Sequence, residues 1–165
     1  MKLEYPDIYG KISLRIFHVK EVIMISLESE IFINRVPEDV FAFVFEPANA
    51  AQWQEGVVLA EFTSEGPLGM GSTWRNVSKM IGREIDIEFE VTDYDPPHRL
   101  CYKSISGPVQ TKTCVTFESQ NGGTLMTFSG EGKPGGLFKM AKGILRKRLE
   151  SQFEKNLNRL KALLE

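Results

Sequence analysis

One stretch constrains the fold more than any other: residues 134–165, the only long helical pattern in the chain. Apolar residues fall at Leu137, Ala141, Ile144, Leu145, Leu149, Phe153, Leu157, Leu160 and Leu164. Steps of three and four place them on one face of an α-helix. Lys139, Lys142, Arg146, Lys147, Glu150, Glu154, Lys155, Arg159 and Lys161 fall mostly off that stripe, as a solvated face requires. Such a helix spans about 45 Å at 1.5 Å per residue, longer than capping one small sheet needs. Everything before it reads as short strands and turns. The architecture that satisfies both is an α+β domain: a curved antiparallel sheet of about seven strands wrapped round the helix. That arrangement encloses volume, and enclosed volume suggests a ligand.

A chain of 165 residues suits one domain. A hydrophobic content of 42% and a net charge of -2 exclude a disordered chain and a whole-chain polyanion binder. The charge is uneven. From Lys133 onward there are nine Lys/Arg against three Glu; of the 20 and 22 in all, eleven and nineteen remain before it. A basic helix laid against an acidic sheet explains this. A helix face that touches anionic lipid is the sharper alternative, so membrane contact, if made, is transient. Nucleic acid is not expected, because no aromatic residue interleaves Arg146, Lys147 and Arg148. Arg15, His18, Lys20 and Glu21 interrupt the early apolar residues. Neither a signal peptide nor a spanning helix of about 20 apolar residues is therefore evident, and a cytoplasmic location is expected. The two cysteines and two histidines are too scattered for a zinc pattern, and no metal or other cofactor is expected.

In chain order, residues 1–25 fit the rest poorly. Ile12, Leu14 and Ile16 alternate like a short strand, and the segment reads as an N-terminal extension ahead of a domain over 26–165. The first strand is 26–34. Val36-Pro37-Glu38-Asp39 opens a short helix, with proline at its first position and acids in its first turn. Pro47 opens a second short helix, closed by Gly56. Strands follow at 57–64, 72–80, 83–94, 99–106, 109–119 and 124–130, separated by turn residues. In the clearest, Ile85, Ile87, Phe89 and Val91 face inward, and Glu84, Asp86, Glu88 and Glu90 face solvent. A loop at Gly107-Pro108 sets Cys101 opposite Cys114. Cβ atoms about 4.5–5.5 Å apart and a reducing compartment predict neighbouring free thiols.

That order of elements, with Ile33-Asn34-Arg35-Val36-Pro37-Glu38-Asp39-Val40-Phe41, Gln52-Trp53-Gln54-Glu55-Gly56-Val57, Gly66-Pro67-Leu68-Gly69-Met70-Gly71, Tyr94-Asp95-Pro96-Pro97-His98-Arg99-Leu100 and Gly122-Gly123-Thr124, resembles the START-like (SRPBCC) superfamily of polyketide cyclase/dehydrases and lipid-transport proteins. The resemblance runs from about residue 26 to the end. It implies the helix-grip fold, with two short helices after the first strand and a cavity between sheet and long helix. Members bind lipids, sterols, hormones or polyketides, and some catalyse cyclisation or dehydration. The resemblance implies no shared cofactor or catalytic set. It does imply that the loop at 66–71 can gate the cavity.

Trp74 and Asn76 share one strand face and offer an aromatic wall with a polar handle. Ordinary core packing explains the same pattern. Phe89, Tyr102, Val115, Met126 and Phe128 are inward candidates on later strands, Trp53 on the second short helix, and Ala141 and Leu145 on the long one. The acids of 84–90 are a solvated strand face, and His98 is a turn residue. Gly66, Gly69 and Gly71 lack the lysine and following helix of a phosphate loop. No Ser-His-Asp or Cys-His arrangement has a usable context.

Three functions are thus expected in order. The first is binding or carriage of a small hydrophobic ligand (lipid, polyketide or isoprenoid-like) without catalysis. The second is a cyclase/dehydratase-type enzyme in which Tyr102 or Asn76 orients a polyketide-like substrate. The third is a docking module using the basic helix, which requires an exposed apolar patch beside Arg146, Lys147 and Arg148. The first predicts an enclosed, mainly apolar pocket between the long helix and the concave sheet, on the order of 300 Å³ or more. The sequence leaves the oligomeric state open.

Overall fold

The computed structural model describes residues 12–19, 22–80, 82–134 and 142–165. Side chains at 14, 16–19, 22, 23, 80, 134 and 142–146 are outside the description. Among the described residues, eight antiparallel strands form one sheet: β1 (Ile12–Val19), β2 (Val22–Ile33), β3 (Val57–Phe62), β4 (Thr73–Met80), β5 (Arg83–Asp95), β6 (Arg99–Ser104), β7 (Val109–Gln120) and β8 (Gly123–Pro134). Their spatial order is β1-β2-β8-β7-β6-β5-β4-β3. Two short helices, α1 (Pro37–Val44) and α2 (Ala50–Trp53), follow β2 with a 3₁₀ turn at Pro47–Asn49 between them, and α3 (Lys142–Leu164) ends the chain. This is the α+β helix-grip architecture, with one strand more than expected.

The eighth strand is β1. Residues 12–19 pair with β2 from Ile12↔Ser29 to Val19↔Val22. β2 accordingly starts four residues earlier than expected. The other difference is at the far end. Pro134, expected at the head of the long helix, instead closes β8 opposite Val109.

Local chemistry sets the remaining boundaries. α1 has Pro37 in its first turn together with Glu38 and Asp39, which suit the positive end of the helix dipole. The Glu46 carboxylate accepts from Ala48 N–H at 3.2 Å and caps the 3₁₀ turn. Gly56 ends the helical segment at φ +88°, and a Cβ there would lie 2.7 Å from the Lys79 carbonyl oxygen. Only glycine fits that approach between the helical segment and β4. Register shifts at Val57/Leu59 in β3 and Val91/Asp93 in β5 mark bulges. Bulges bend strands, so both add to the curvature of the sheet.

The core lies on the concave face. Ile33, Val40, Leu100, Phe117, Met126 and Leu160 are fully or almost fully buried. α3 enters it through Leu157, Leu160 and Leu164. Polar contacts fasten the end of α3 to the end of β2. Lys161 Nζ donates to the Phe32 carbonyl at 2.6 Å, Asn34 N–H donates to Glu165 Oε1 at 2.8 Å, and Arg35 Nε donates to the Leu164 carbonyl. The Asn34 N–H, then Lys161, hold the Glu165 carboxyl below the usual carboxylate range.

The opposite face carries the acids of β5. Asp86 accepts a forked hydrogen bond from Arg75, at 3.0 Å from Nε and 2.6 Å from Nη2. That bond, aided by the pair's attraction, lowers the Asp86 carboxyl and raises the Arg75 guanidinium. Glu90 pairs with Lys103 at 3.2 Å.

The cysteines correct one expectation. The register is as read, with Cys101 opposite Cys114, because the connection beyond the last pair, Lys103 opposite Lys112, lengthens evenly on both sides of Gly107-Pro108. The thiols, however, are joined as a disulfide. Their Cα atoms are 4.0 Å apart, the close spacing typical of a non-hydrogen-bonded pair, about 4.5 Å. The wider Cβ separation behind the free-thiol expectation does not apply at such a position.

Candidate functional site

A cavity of about 190 Å³ lies between the concave sheet, the short helices and α3. Eight of the residues singled out from the sequence stand in its walls: Trp53, Trp74, Asn76, Phe89, Tyr102, Val115, Met126 and Phe128. Alternation explains the convergence, since each strand turns every second side chain inward. Trp74 faces Phe89 across β4 and β5, and Val115 faces Phe128 across β7 and β8. Ala141 lies outside the described residues, and so does the Leu145 side chain.

The space is smaller than the expected 300 Å³ because aromatic rings fill it. Trp74 stacks on Phe89 with ring centres 5.3 Å apart. Tyr102 meets both edge-on, at 4.9 and 5.4 Å. Phe153 of α3 tilts against Phe128 at 4.8 Å. Edge and offset contacts of this kind each contribute about 0.5–1.5 kcal/mol beyond area burial.

The described walls carry no charged side chain; their polar members are Trp53, Gln54, Trp74, Asn76, Tyr102 and Asn156. Burial pushes the Tyr102 hydroxyl up to about 12, against a smaller lowering by its hydrogen bond with Thr113. It is therefore a neutral phenol at ordinary pH. Asn156 Oδ1 accepts from Glu55 N–H at 2.8 Å, and Gln152 Nε2 donates to the Glu55 carbonyl at 3.1 Å. These two bonds clip α3 to the end of α2 beside the cavity. Trp53 is only 7% exposed, and its Nε1 is buried without a hydrogen-bond partner among the described residues.

Sequence reasoning missed the contribution of the helical segment and the loops. Val44, Phe45, Pro47 and Ala50 line the cavity, as do Phe62 and Leu68. No periodicity announces them, because four- to eight-residue helices are too short to show a face. Leu68 lies in the glycine-rich loop, which Ser72 Oγ braces by accepting from Gly69 N–H at 2.9 Å. Phe153 was legible as part of the helical stripe, and whether it packs on the sheet or lines the cavity was open from the sequence; it stands in the cavity wall.

The arrangement offers a partly open, apolar and aromatic cavity with neutral hydrogen-bonding groups. Among the described residues, no group of three or more His, Cys, Asp or Glu is placed to hold a metal ion, and no helix is long and apolar enough to cross a membrane. The exposed large apolar side chains include Val58, Leu59, Phe62 and Met70, around β3, and Leu163 near the end of α3. Among the described residues none of these adjoins Lys147 and Arg148 along the helix; the side chains at 142–146, where the docking reading also required an apolar patch, lie outside the described residues.

No curated protein matches the chain by sequence. Solved structures share the fold. The di-domain ARO/CYC BexL from the BE-7585A biosynthetic pathway superposes with a TM-score of 0.68 at 18% identity, over 86% of this chain and 50% of that one. A conserved protein from Geobacillus kaustophilus gives a TM-score of 0.68 at 15% identity, over 84% and 94%. TTHA0849 from Thermus thermophilus gives 0.65 at 18%, over 82% and 90%. The family described as polyketide cyclase / dehydrase and lipid transport matches residues 24–165, and the chain belongs to that family.

Proposed function

We propose that the chain binds and carries a small hydrophobic molecule in the cavity between sheet and α3, without transforming it. The observation that carries this reading is the described part of the wall: aromatic and aliphatic side chains with a few neutral polar groups and, among the described residues, no charge. Such a wall gains from apolar contact and leaves little for acid–base chemistry. Trp53, Trp74, Asn76, Phe89, Tyr102, Val115, Met126 and Phe128 are the proposed contacts, together with Ala141 and Leu145 as the sequence pattern suggests. Native mass spectrometry of the purified chain tests it. A bound mass lost on mild activation, identified as a neutral organic molecule after extraction, is the expected result. A bare chain that binds no apolar probe would overturn the reading.

A cyclase/dehydratase activity is the second reading. It draws on Tyr102, a protonated phenol in the wall, and on the name of the ARO/CYC relative. Loss of turnover in Tyr102→Phe with unchanged substrate binding would favour it over carriage. A cytoplasmic setting, also part of the proposal, requires the thiol pool there to open the Cys101–Cys114 bridge.

A further inference from the structure

We propose that the Cys101–Cys114 bridge is a thiol–disulfide exchange site on the outer face of the sheet. It opens to a dithiol and closes again while the chain stays folded, and its redox state is felt in the cavity wall, whatever the cavity binds.

Access comes first. The bridge joins β6 to β7 on the face away from the core, because the neighbouring pairs Leu100↔Val115 and Tyr102↔Thr113 turn inward. Both cysteines line an open groove that crosses the outer face from Ser13 and Arg15 on β1 to Thr92 on β5. Cys101 is only 9% exposed, whereas Cys114 is partly exposed. An incoming thiolate therefore attacks Cys114 Sγ. The S–S bond breaks, and its electron pair leaves on Cys101 Sγ as a thiolate. The second thiolate of the dithiol then attacks the dithiol's own sulfur in the mixed disulfide and releases Cys114 Sγ. Both cysteine thiolates take up protons, and the dithiol ends as its disulfide. A small disulfide such as oxidised glutathione runs the exchange in reverse. Pairing of β6 with β5 and of β7 with β8 holds the strands throughout.

Charge favours the leaving thiolate, which cations stabilise. Lys103 and Lys112 form the next outward pair beyond the bridge, and Arg99 is the next outward residue before it. Arg15 stands in the same groove, with Glu28 and Glu131 as its acids. Asp93, opposite Cys101 on β5, is held by Arg99 at 2.7 Å, and Glu90 is held by Lys103 at 3.2 Å.

The path inward is short. Tyr102 and Val115 each follow a bridged cysteine, and both line the cavity. The bridge holds the cysteine Cα atoms at 4.0 Å, and an unlinked pair of this kind relaxes toward about 4.5 Å. The shift passes to Tyr102, which is hydrogen-bonded to Thr113 and meets Trp74 edge-on with ring centres 4.9 Å apart.

The full chain, oxidised with oxidised glutathione and then treated with dithiothreitol without denaturant, tests this. Iodoacetamide capture read by mass spectrometry counts the thiols. Two should appear at a rate proportional to dithiothreitol while the far-ultraviolet circular dichroism stays native, and oxidised glutathione should restore the bridge. A bridge that opens only when the chain unfolds overturns the exchange site, and so do thiols that never join. Lys103→Gln with Lys112→Gln should slow the opening severalfold; an unchanged rate overturns the role of charge. The thiol left in Cys101→Ser should react with oxidised glutathione faster than the thiol left in Cys114→Ser; the opposite order overturns the point of attack. By NMR, the indole N–H signal of Trp74, assigned with Trp74→Phe, should move on reduction. It should stay in place on the same treatment of Cys101→Ser with Cys114→Ser. A wild-type signal that does not move overturns the link to the cavity.

Discussion

Tyr102 shows what a neighbourhood does to one residue. Its hydroxyl sits at about 12 in the fold, against about 10 in an unfolded chain. The folded state therefore keeps its proton where the unfolded state has lost it. Below pH 10 this group's contribution to stability is complete. It declines as pH rises from about 10 to 12, by at most about 2–3 kcal/mol. Tyr102→Phe should remove that alkaline loss, and denaturant midpoints across the range check it. Equal alkaline slopes in both proteins would refute the assignment. The cysteines show where residue-level reading stopped. Their opposition followed from counting along the hairpin, because register depends only on sequence position. Their chemistry depends on local strand spacing, which the sequence does not state. The bridge closes a separation of 13 residues, and a loop of that length is worth about 3 kcal/mol on the chain-entropy model. Cys101→Ser with Cys114→Ser, or added reductant, should lower stability by about that amount. An unchanged midpoint would mean that the thiols are free in solution, as the sequence alone suggests.

Among the elements, α3 was the most legible, and its two halves do different work. Leu157, Leu160 and Leu164 are buried in the core, and Leu160→Ala should cost about 2–5 kcal/mol. Phe153 is only half-buried, tilts against Phe128 and lines the cavity. Phe153→Ala should cost less, because the ring already borders open space. It should also enlarge the cavity and weaken binding of ring-shaped probes. Paired denaturation and calorimetry separate the two variants. An equal stability loss with no change in binding would place Phe153 in the core instead. Periodicity revealed the apolar stripe because about six turns of the 23-residue helix repeat it. It could not reveal the wall residues of α1, α2 and the 3₁₀ turn, whose few side chains acquire a face only from what they pack against. It also misplaced Pro134. A glycine-rich run after a strand reads as a helix start, but pairing with β7 continues through Gly132, Lys133 and Pro134.

At the scale of the whole molecule, the sheet has two ends, β1 and β3. The family match begins at residue 24, so β1 lies ahead of it, on the outer side of β2. Alternation at Ile12, Leu14 and Ile16 marked a strand, but nothing local named its partner. The register does: eight consecutive pairs join β1 to β2. Without β1, the twelve-residue β2, with Ile23, Ile25, Leu27, Ile31 and Ile33, would become the sheet edge. A long apolar strand with unpaired backbone groups templates further strands. A chain starting at residue 22 should therefore still fold, because the core made by β2 to β8 and α3 is retained. It should self-associate in a concentration-dependent way, seen by size-exclusion chromatography with light scattering. Adding Lys at Ser26 and Ser129 of the truncated chain, both on the outer face next to the new edge, should reduce that association. If the truncated chain instead stays monomeric with the parent's denaturation midpoint, β1 is an appendage to the domain, as the sequence of residues 1–25 suggests. If it fails to fold at all, β1 is part of the core structure, and the domain begins before residue 22.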